Sequence, residues 1–150
     1  MCLDRAWIEA HIPHDGRMCL LDEVVEWNAQ RIRCRTGTHR LPDHPLRSQG
    51  RLGIACGIEY AAQAMAVHGA LVGAAAGSGP AVAGFLASLR DIRLHALRLD
   101  DIESDLLCEA TCVAGNRVTA LYEFALSSGP RELLSGRATV VLDAGQRWNL

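Results

Sequence analysis

The sequence predicts an α+β domain in which an antiparallel sheet wraps one long central helix. Three observations carry that prediction. Residues 52–77 form one small-residue-rich segment whose clearly polar side chains between Gly53 and Ala76 are only Glu59, Tyr60, Gln63 and His68, so it reads as a helix apolar nearly all round, and therefore buried. Before it, Arg31-Ile32-Arg33-Cys34-Arg35-Thr36 alternates strictly between charged and apolar or small residues, the mark of a strand with one wet face. After it come four strand-like stretches, 81–97, 105–114, 117–127 and 132–143, separated by Gly79-Pro80, Leu99-Asp100-Asp101, Gly115-Asn116 and Gly129-Pro130. A sheet folded around the helix is the economical way to bury all of these apolar faces.

The elements follow in order. Residues 3–10 predict a short helix that ends before Ile12-Pro13-His14. Met18-Cys19-Leu20-Leu21, continuing through Val24-Val25 to Trp27, reads as a strand with a buried face, so that 18–36 becomes an antiparallel hairpin. From His39 to Gly50, the residues Arg40, Pro42, Pro45, Arg47 and Ser48 mark a loop. Gly-Asn and Gly-Pro pairs are turn chemistry, so the last three strands are expected to form a meander. With no repeat and no linker, residues 1–150 read as one domain. A sheet of this kind keeps open edges and an open face, and such domains commonly pair across a dimer interface.

Composition narrows the chemistry. The 150 residues include 22 alanines, and all 15 basic residues are arginines, which excludes Schiff-base lysine chemistry and a Gly-Lys phosphate loop. Hydrophobic residues make up 49% and charged residues 21%, enough to build a sizeable core. A net charge of −2 gives no overall attraction to nucleic acid or anionic membrane, and the acidic run Asp100-Asp101-Glu103-Asp105 with only 5% aromatics argues further against a nucleic-acid partner. A carboxylate and an amide in the N-terminal half of the long helix, without anchoring flanks, argue against membrane insertion. Residues 1–10 carry Asp4, Arg5 and Glu9 and no long apolar core, so a signal peptide is not expected and a cytoplasmic protein is. The cysteines at 2, 19, 34, 56, 108 and 112 include no Cys-x-x-Cys and read as small buried hydrophobes rather than disulfides or zinc ligands. No cofactor and no metal is expected.

This order of elements is that of the hotdog fold, and short motifs carry a more specific resemblance. Residues 12–24, Ile12-Pro13-His14-Asp15-Gly16-Arg17-Met18-Cys19-Leu20-Leu21-Asp22-Glu23-Val24, resemble the L-P-H-R-x-P-F-L-L-V-D-R-V opening of bacterial 3-hydroxyacyl-[acyl-carrier-protein] dehydratases of the FabZ type. Ile58-Glu59-Tyr60-Ala61-Ala62-Gln63-Ala64 is similar to their central-helix motif I-E-A-M-A-Q-A, and residues 85–94 to their third strand. The most similar subgroup is the divergent dehydratases of aryl polyene pigment clusters, which share Gly50-Arg51-Leu52 ahead of the helix and the Gly57-Ile58-Glu59 start. In the main family a catalytic histidine lies in a G-H-F-P-x-H-P loop fourteen residues before the helix glutamate. Here that position is Pro45, His44 stands one residue away, and His39, twenty residues before Glu59, fits an H-x-x-P-x-H-P pattern on a longer loop. The family's M-P-G ahead of the helix is Arg51-Leu52-Gly53 in this chain.

The resemblance implies dehydration of a 3-hydroxyacyl thioester on the 4′-phosphopantetheine arm of an acyl carrier protein, in fatty acid or polyene biosynthesis. That reaction needs a base for the C2 proton and an acid for the departing C3 hydroxyl. Glu59, set among Cys56, Ile58, Ala61 and Ala62, is the expected acid, because an apolar setting favours a protonated carboxyl. His44 or His39 is the expected base. Gln63, at i+4 from Glu59, is expected to hold it by a hydrogen bond. The helix N-terminus near Gly53 is expected to polarise the thioester carbonyl. Arg31, Arg33 and Arg35 read as a solvated strand face, while Arg40, Arg47 and Arg51 read as a tunnel mouth that attracts an acidic carrier protein or its phosphate. His14, His68 and His95 read as structural histidines. In the resembling family the histidine and glutamate of one site come from different subunits, which implies a homodimer or a heterodimer with another hotdog dehydratase. A hotdog acyl thioesterase and a non-catalytic hotdog partner of an active dehydratase are the rival readings.

Overall fold

A computed structural model describes residues 3–12, 16–77, 84–116 and 118–142. The helix α1 spans Arg5–His11 and begins because the Asp4 carboxylate accepts the Trp7 N–H at 3.0 Å, a side-chain cap on an otherwise unpaired donor. Six strands follow, β1 (Glu23–Trp27), β2 (Arg31–Thr36), β3 (Gly84–Leu94), β4 (Leu106–Gly115), β5 (Thr119–Ser128) and β6 (Arg131–Leu142), with the long helix α2 (Gly57–Ala75) between β2 and β3. They form one antiparallel sheet in the order β1-β2-β4-β5-β6-β3. The expected hairpin and meander are both present. Residues 78–83, 117 and 143, which hold the predicted Gly79-Pro80 turn and outer ends of the predicted strands, lie outside the described residues, as does His14.

One boundary differs from expectation. The first strand starts at Glu23 rather than Met18, and Gly16–Met18 form a 3₁₀ turn instead. The reason is competition for backbone groups: the buried Gln63 amide accepts the Leu20 N–H at 2.8 Å and donates to the Met18 carbonyl at 2.7 Å, so these residues pair with the helix and not with β2.

The helix lies across β2, β4 and β5. Ile32 and Cys34 of β2, Leu106, Cys108 and Ala110 of β4, and Tyr122, Phe124 and Leu126 of β5 meet Tyr60, Ala61, Ala64, Met65, Val67 and Leu71 in a continuous core. Small residues let the helix come close. At Gly57 a Cβ would stand 2.4 Å from Leu134 Cδ2 and 2.9 Å from Leu126 Cδ2, so any side chain there must displace two packed leucines. No helix among the described residues is long and apolar enough to cross a membrane. The solvent face of β2 is an ion-pair ladder, with Arg31 on Glu26 (2.7 Å), Arg33 on Glu26 and Glu109 (both 3.1 Å), and Arg35 on Glu23 (2.8 Å) and Asp105 (2.6 Å), as its alternating sequence predicts.

β3 is the outermost strand, and Leu86, Leu89 and Leu94 on it remain 37–50% exposed. Leu89 stands opposite Ala138 and Leu94 opposite Leu134, both buried, so these leucines share the helix-bearing face of the sheet. That end of the face carries apolar side chains that α2 does not cover.

Candidate active site

The loop between β2 and α2 packs both candidate histidines inside the protein. A 3₁₀ turn at Thr38–Arg40 opens it, and the turns Leu41–His44 and His44–Arg47 continue it through backbone hydrogen bonds of 3.2 and 3.1 Å. It closes at Ser48–Arg51, where reciprocal backbone bonds of 2.9 and 3.0 Å and positive φ at Gln49 (52°) and Gly50 (75°) define a type I′ turn. The following residues, 52–54, pair with 97–99, and Leu52 N–H donates to Asp100 Oδ1 at 2.9 Å. Asp100 is held well below the usual carboxylate range by the Arg98 guanidinium that grips it. The chain thus enters α2 through a fixed frame, by way of a 3₁₀ turn at Ile54–Cys56. Gly53 is exposed, and nothing lies within 4 Å of a Cβ built on it.

His44 is buried with both ring nitrogens committed. Leu46 N–H donates to Nδ1 at 3.1 Å, which leaves the ring proton on Nε2, and Nε2 donates to the Tyr60 hydroxyl at 3.0 Å. Tyr60 in turn donates to Thr38 Oγ1 at 2.8 Å, and Thr38 passes its own proton to the Leu20 carbonyl at 2.7 Å, beside Thr36 Oγ1 at 2.6 Å. Burial holds the His44 pKa below its ordinary value, and the neighbouring Arg47 charge acts in the same direction. With both ring nitrogens engaged in this way, the His44 ring has no uncommitted lone pair in the described chain, unlike the arrangement expected of a base.

His39 is fully buried but differs in one respect. Its Nε2 donates to the Ile102 carbonyl at 2.9 Å, while Nδ1 has no hydrogen-bond partner among the described residues. Burial lowers its pKa against the opposing pull of the Ile102 and Ser104 backbone. Nδ1 is thus a buried polar atom without a hydrogen-bond partner among the described residues, enclosed within the single chain.

Three further expectations change. Glu59 is exposed on the outward side of α2 and not enclosed in an apolar setting, because Ala55, Glu59 and Gly69 lie on the face turned from the sheet while Tyr60, Ala61 and Ala64 turn inward. Gln63 does not hold Glu59: it is fully buried and clamps Leu20 and Met18. Arg40 is drawn off to Asp105 at 2.6 Å, which neutralises its charge and pulls the Asp105 pKa down together with Arg35. Arg47 reaches the Gly50 and His39 carbonyls at 3.1 and 3.5 Å, and Arg51 is exposed on the I′ turn. His68 is a structural histidine as expected, donating to Asn28 O at 2.9 Å and accepting from the Tyr122 hydroxyl at 2.7 Å. His95 lies just beyond β3, half-exposed and 3.2 Å from Glu132. Tyr60 and Thr38 were not foreseen in the site, although a tyrosine on an apolar buried helix signals a hydroxyl that must find a partner.

Residues 6–146 match the family model described as ApeP-like, ApeP dehydratase. The chain belongs to the ApeP-like dehydratase family. The resemblance read from the helix and loop motifs is thereby confirmed at the level of family and fold. Among solved structures the chain is similar to the dehydratase heterocomplex ApeI:P from Xenorhabdus doucetiae, at 20% identity over 90% of each chain with a TM-score of 0.79. It is also similar in fold to the zebra fish thioesterase superfamily member 2, at 15% identity over 92% of this chain and 94% of that one with a TM-score of 0.64. A hypothetical thioesterase from Streptococcus pneumoniae TIGR4 solved with coenzyme A matches at 14% identity, over 80% and 84%, with a TM-score of 0.58. No curated protein matches the chain in sequence. These likenesses make the fold a hotdog, shared by dehydratases and thioesterases.

Proposed function

We propose that this ApeP-like dehydratase removes water from 3-hydroxyacyl thioesters carried by an acyl carrier protein, and that it does so as one half of a two-chain unit. The observation that carries this reading is the place of Glu59. It is the one carboxylate on α2, and it stands on an outward stripe that otherwise holds Ala55, Ala62, Ala66 and Gly69. Small residues at this spacing invite close approach of another surface, and that surface would withdraw Glu59 from water and favour the protonated carboxyl that a leaving hydroxyl requires. The uncovered leucines of β3 support the same conclusion, since a second sheet would cover them.

In this reading Glu59 is the acid and His39 the base, each completing a site with a residue from the other chain. At the site that His39 serves, its Nδ1 takes the C2 proton, the C2–C3 double bond forms as the C3–O bond breaks, and a carboxyl of the partner chain donates its proton to the departing hydroxyl, which leaves as water; at the other site Glu59 is the proton donor and the partner chain supplies the base. The open backbone at Gly53 receives the thioester carbonyl, and Arg47 and Arg51 face the acidic carrier protein and its phosphopantetheine phosphate. The fold family of the ApeI:P structure, named as a heterocomplex, favours a second hotdog dehydratase chain as the partner over a second copy of this one.

The test follows a synthetic 3-hydroxyacyl carrier protein by intact-protein mass spectrometry. Loss of one water in the presence of this chain, alone or mixed with a second hotdog dehydratase, its reduction in Glu59→Gln, and its disappearance when this chain carries both Glu59→Gln and His39→Ala, is the expected result. Release of free carrier-protein thiol without an enoyl product would replace the reading with a thioesterase. Full activity of the mixture when this chain carries both Glu59→Gln and His39→Ala would reduce it to a non-catalytic partner.

A further inference from the structure

We infer that Tyr60 is the positioning residue for His39: its single buried hydroxyl ties the loop that presents His39 to the long helix. The inference deepens the function proposed above and rests on His39 being the base. Its basis is geometric. Tyr60 follows Glu59 on α2 but points the opposite way, and its side chain is wholly buried. The hydroxyl makes two bonds, accepting from His44 Nε2 at 3.0 Å and donating to Thr38 Oγ1 at 2.8 Å. Thr38 is the residue immediately before His39, and His44 opens the last part of the same loop. One oxygen on the helix therefore grips the loop on both sides of His39.

The direction of every bond in this chain is set from one end. Leu46 N–H can only donate, so His44 Nδ1 must accept and the ring proton must sit on Nε2. Tyr60 then has its lone pair occupied by His44 and its proton free for Thr38, and Thr38 has its lone pair occupied by Tyr60 and its proton free for Leu20. Thr38 Oγ1 also lies 3.0 Å from Thr36 Oγ1, and reversing the Tyr60–Thr38 bond would leave the buried Tyr60 proton without an acceptor. The arrangement thereby locks the Thr38–Arg40 turn. Inside that turn the His39 ring is held by a single bond to Ile102, and its carbonyl is reached by Arg47 at 3.5 Å. The ring is packed on all sides but makes one hydrogen bond, so the turn that carries it sets the direction of its lone pair, and Tyr60 holds that turn. His44, which the sequence offered as a base, acts here as the first member of this chain.

The test uses the complete chain with its dehydratase partner, in Tyr60→Phe and Thr38→Val, each of which removes one hydroxyl while keeping the shape of the side chain. Thr38→Ser, which keeps the hydroxyl, is the rescue. Two readouts are taken: dehydration of the 3-hydroxyacyl carrier protein, and ¹⁵N shifts of the histidine rings without substrate. With Glu59→Gln as the common background, so that only the site served by His39 turns over, kcat in Tyr60→Phe and Thr38→Val is expected to fall about tenfold to a hundredfold with KM changed by less than about twofold, since misplacing a reacting group acts on the chemical step. The His39 ring, a single Nε2–H tautomer in the wild type, is expected to show mixed tautomers in both variants and to recover in Thr38→Ser. An unshifted His39 spectrum with kcat within about twofold of Glu59→Gln alone overturns the inference. If the wild-type assembly dehydrates nothing, the proposed function falls, and the ring spectra alone decide whether Tyr60 positions His39. If Tyr60→Phe does not fold, Thr38→Val against Thr38→Ser gives the same decision.

Discussion

Replacing Gln63 with leucine separates a structural role for this residue from a role in the site. The side chain is fully buried and spends both ends on backbone, accepting from Leu20 N–H at 2.8 Å and donating to the Met18 carbonyl at 2.7 Å. Leucine fills nearly the same space but leaves a buried donor and a buried acceptor unpaired, at a cost of about 1–3 kcal/mol each. Allowing for the extra apolar burial that leucine gains, the expected loss is about 2–5 kcal/mol. For a chain of this length each kcal/mol moves the melting temperature by about 2–4 °C, so a fall of roughly 10 °C is expected. Gln63→Glu keeps the acceptor for Leu20 but aims a carboxylate at the Met18 carbonyl, and it should lose at least as much. Urea unfolding followed by circular dichroism measures both variants. A Gln63→Leu protein that unfolds within about 0.5 kcal/mol of wild type while losing dehydration would refute this reasoning and return Gln63 to the substrate site.

Two further predictions follow from buried titratable groups. His39, His44 and His68 are all held below their ordinary pKa, chiefly by burial, so the folded protein refuses protons that the unfolded chain takes up near the ordinary histidine value. Stability is then fully present above about pH 6.5 and is lost as pH falls below it towards the depressed folded values, each ring contributing up to about 1.4 kcal/mol per pH unit. An unfolding free energy that is flat from about pH 7 to about pH 5 contradicts this. Cys34 and Cys108 face each other across β2 and β4, both fully buried, with the Cys34 thiol pushed up to about 12 and that of Cys108 raised as well. Iodoacetamide should modify Cys112 in the native protein and reach Cys34 and Cys108 only on unfolding; peptide mapping that finds all three modified alike counts against the packing described.

The fold was legible because burial writes periodicity into the chain. Strict alternation in 31–36 placed β2, the small-residue segment placed α2, and turn chemistry placed the meander, since each pattern reports which side of an element faces the core. The site was legible in type but not in arrangement. Glu59, Gln63 and Tyr60 sit within five residues on one helix, yet a helix turns about 100° per residue, and the three side chains leave in directions that spacing alone assigns only relative to an unknown sheet. The loop was harder still. His39 and His44 are separated by residues with no period, and what distinguishes them, a lone pair left open or closed, depends on Ile102, Leu46 and Tyr60, all contributed by chain segments outside the H-x-x-P-x-H-P pattern or by its backbone. The same holds for Met18 to Leu21, whose apolar run reads as strand until Gln63, more than forty residues later, claims its backbone.

Arginine without lysine takes on a different meaning once partners are assigned. Arg31, Arg33 and Arg35 spend their charge on Glu26, Glu109, Glu23 and Asp105, and Arg40 shares Asp105, so the basic run seen in the sequence is largely neutral across the sheet. Near the loop, Arg17 offsets Asp43 at 3.7 Å. Around the loop, positive charge not offset by a carboxylate among the described residues remains at Arg47, bound only to backbone carbonyls, and at Arg51 on the I′ turn that leads into α2, while Arg90 and Arg93 on β3 and Arg131 on β6 are likewise without a carboxylate partner. An anionic carrier arm is drawn to where charge persists and not to where arginines are numerous. Arg47 and Arg51 both precede the exposed Gly53, so in the function proposed above a phosphate held by them would bring a thioester towards the helix end that turns Glu59 outward.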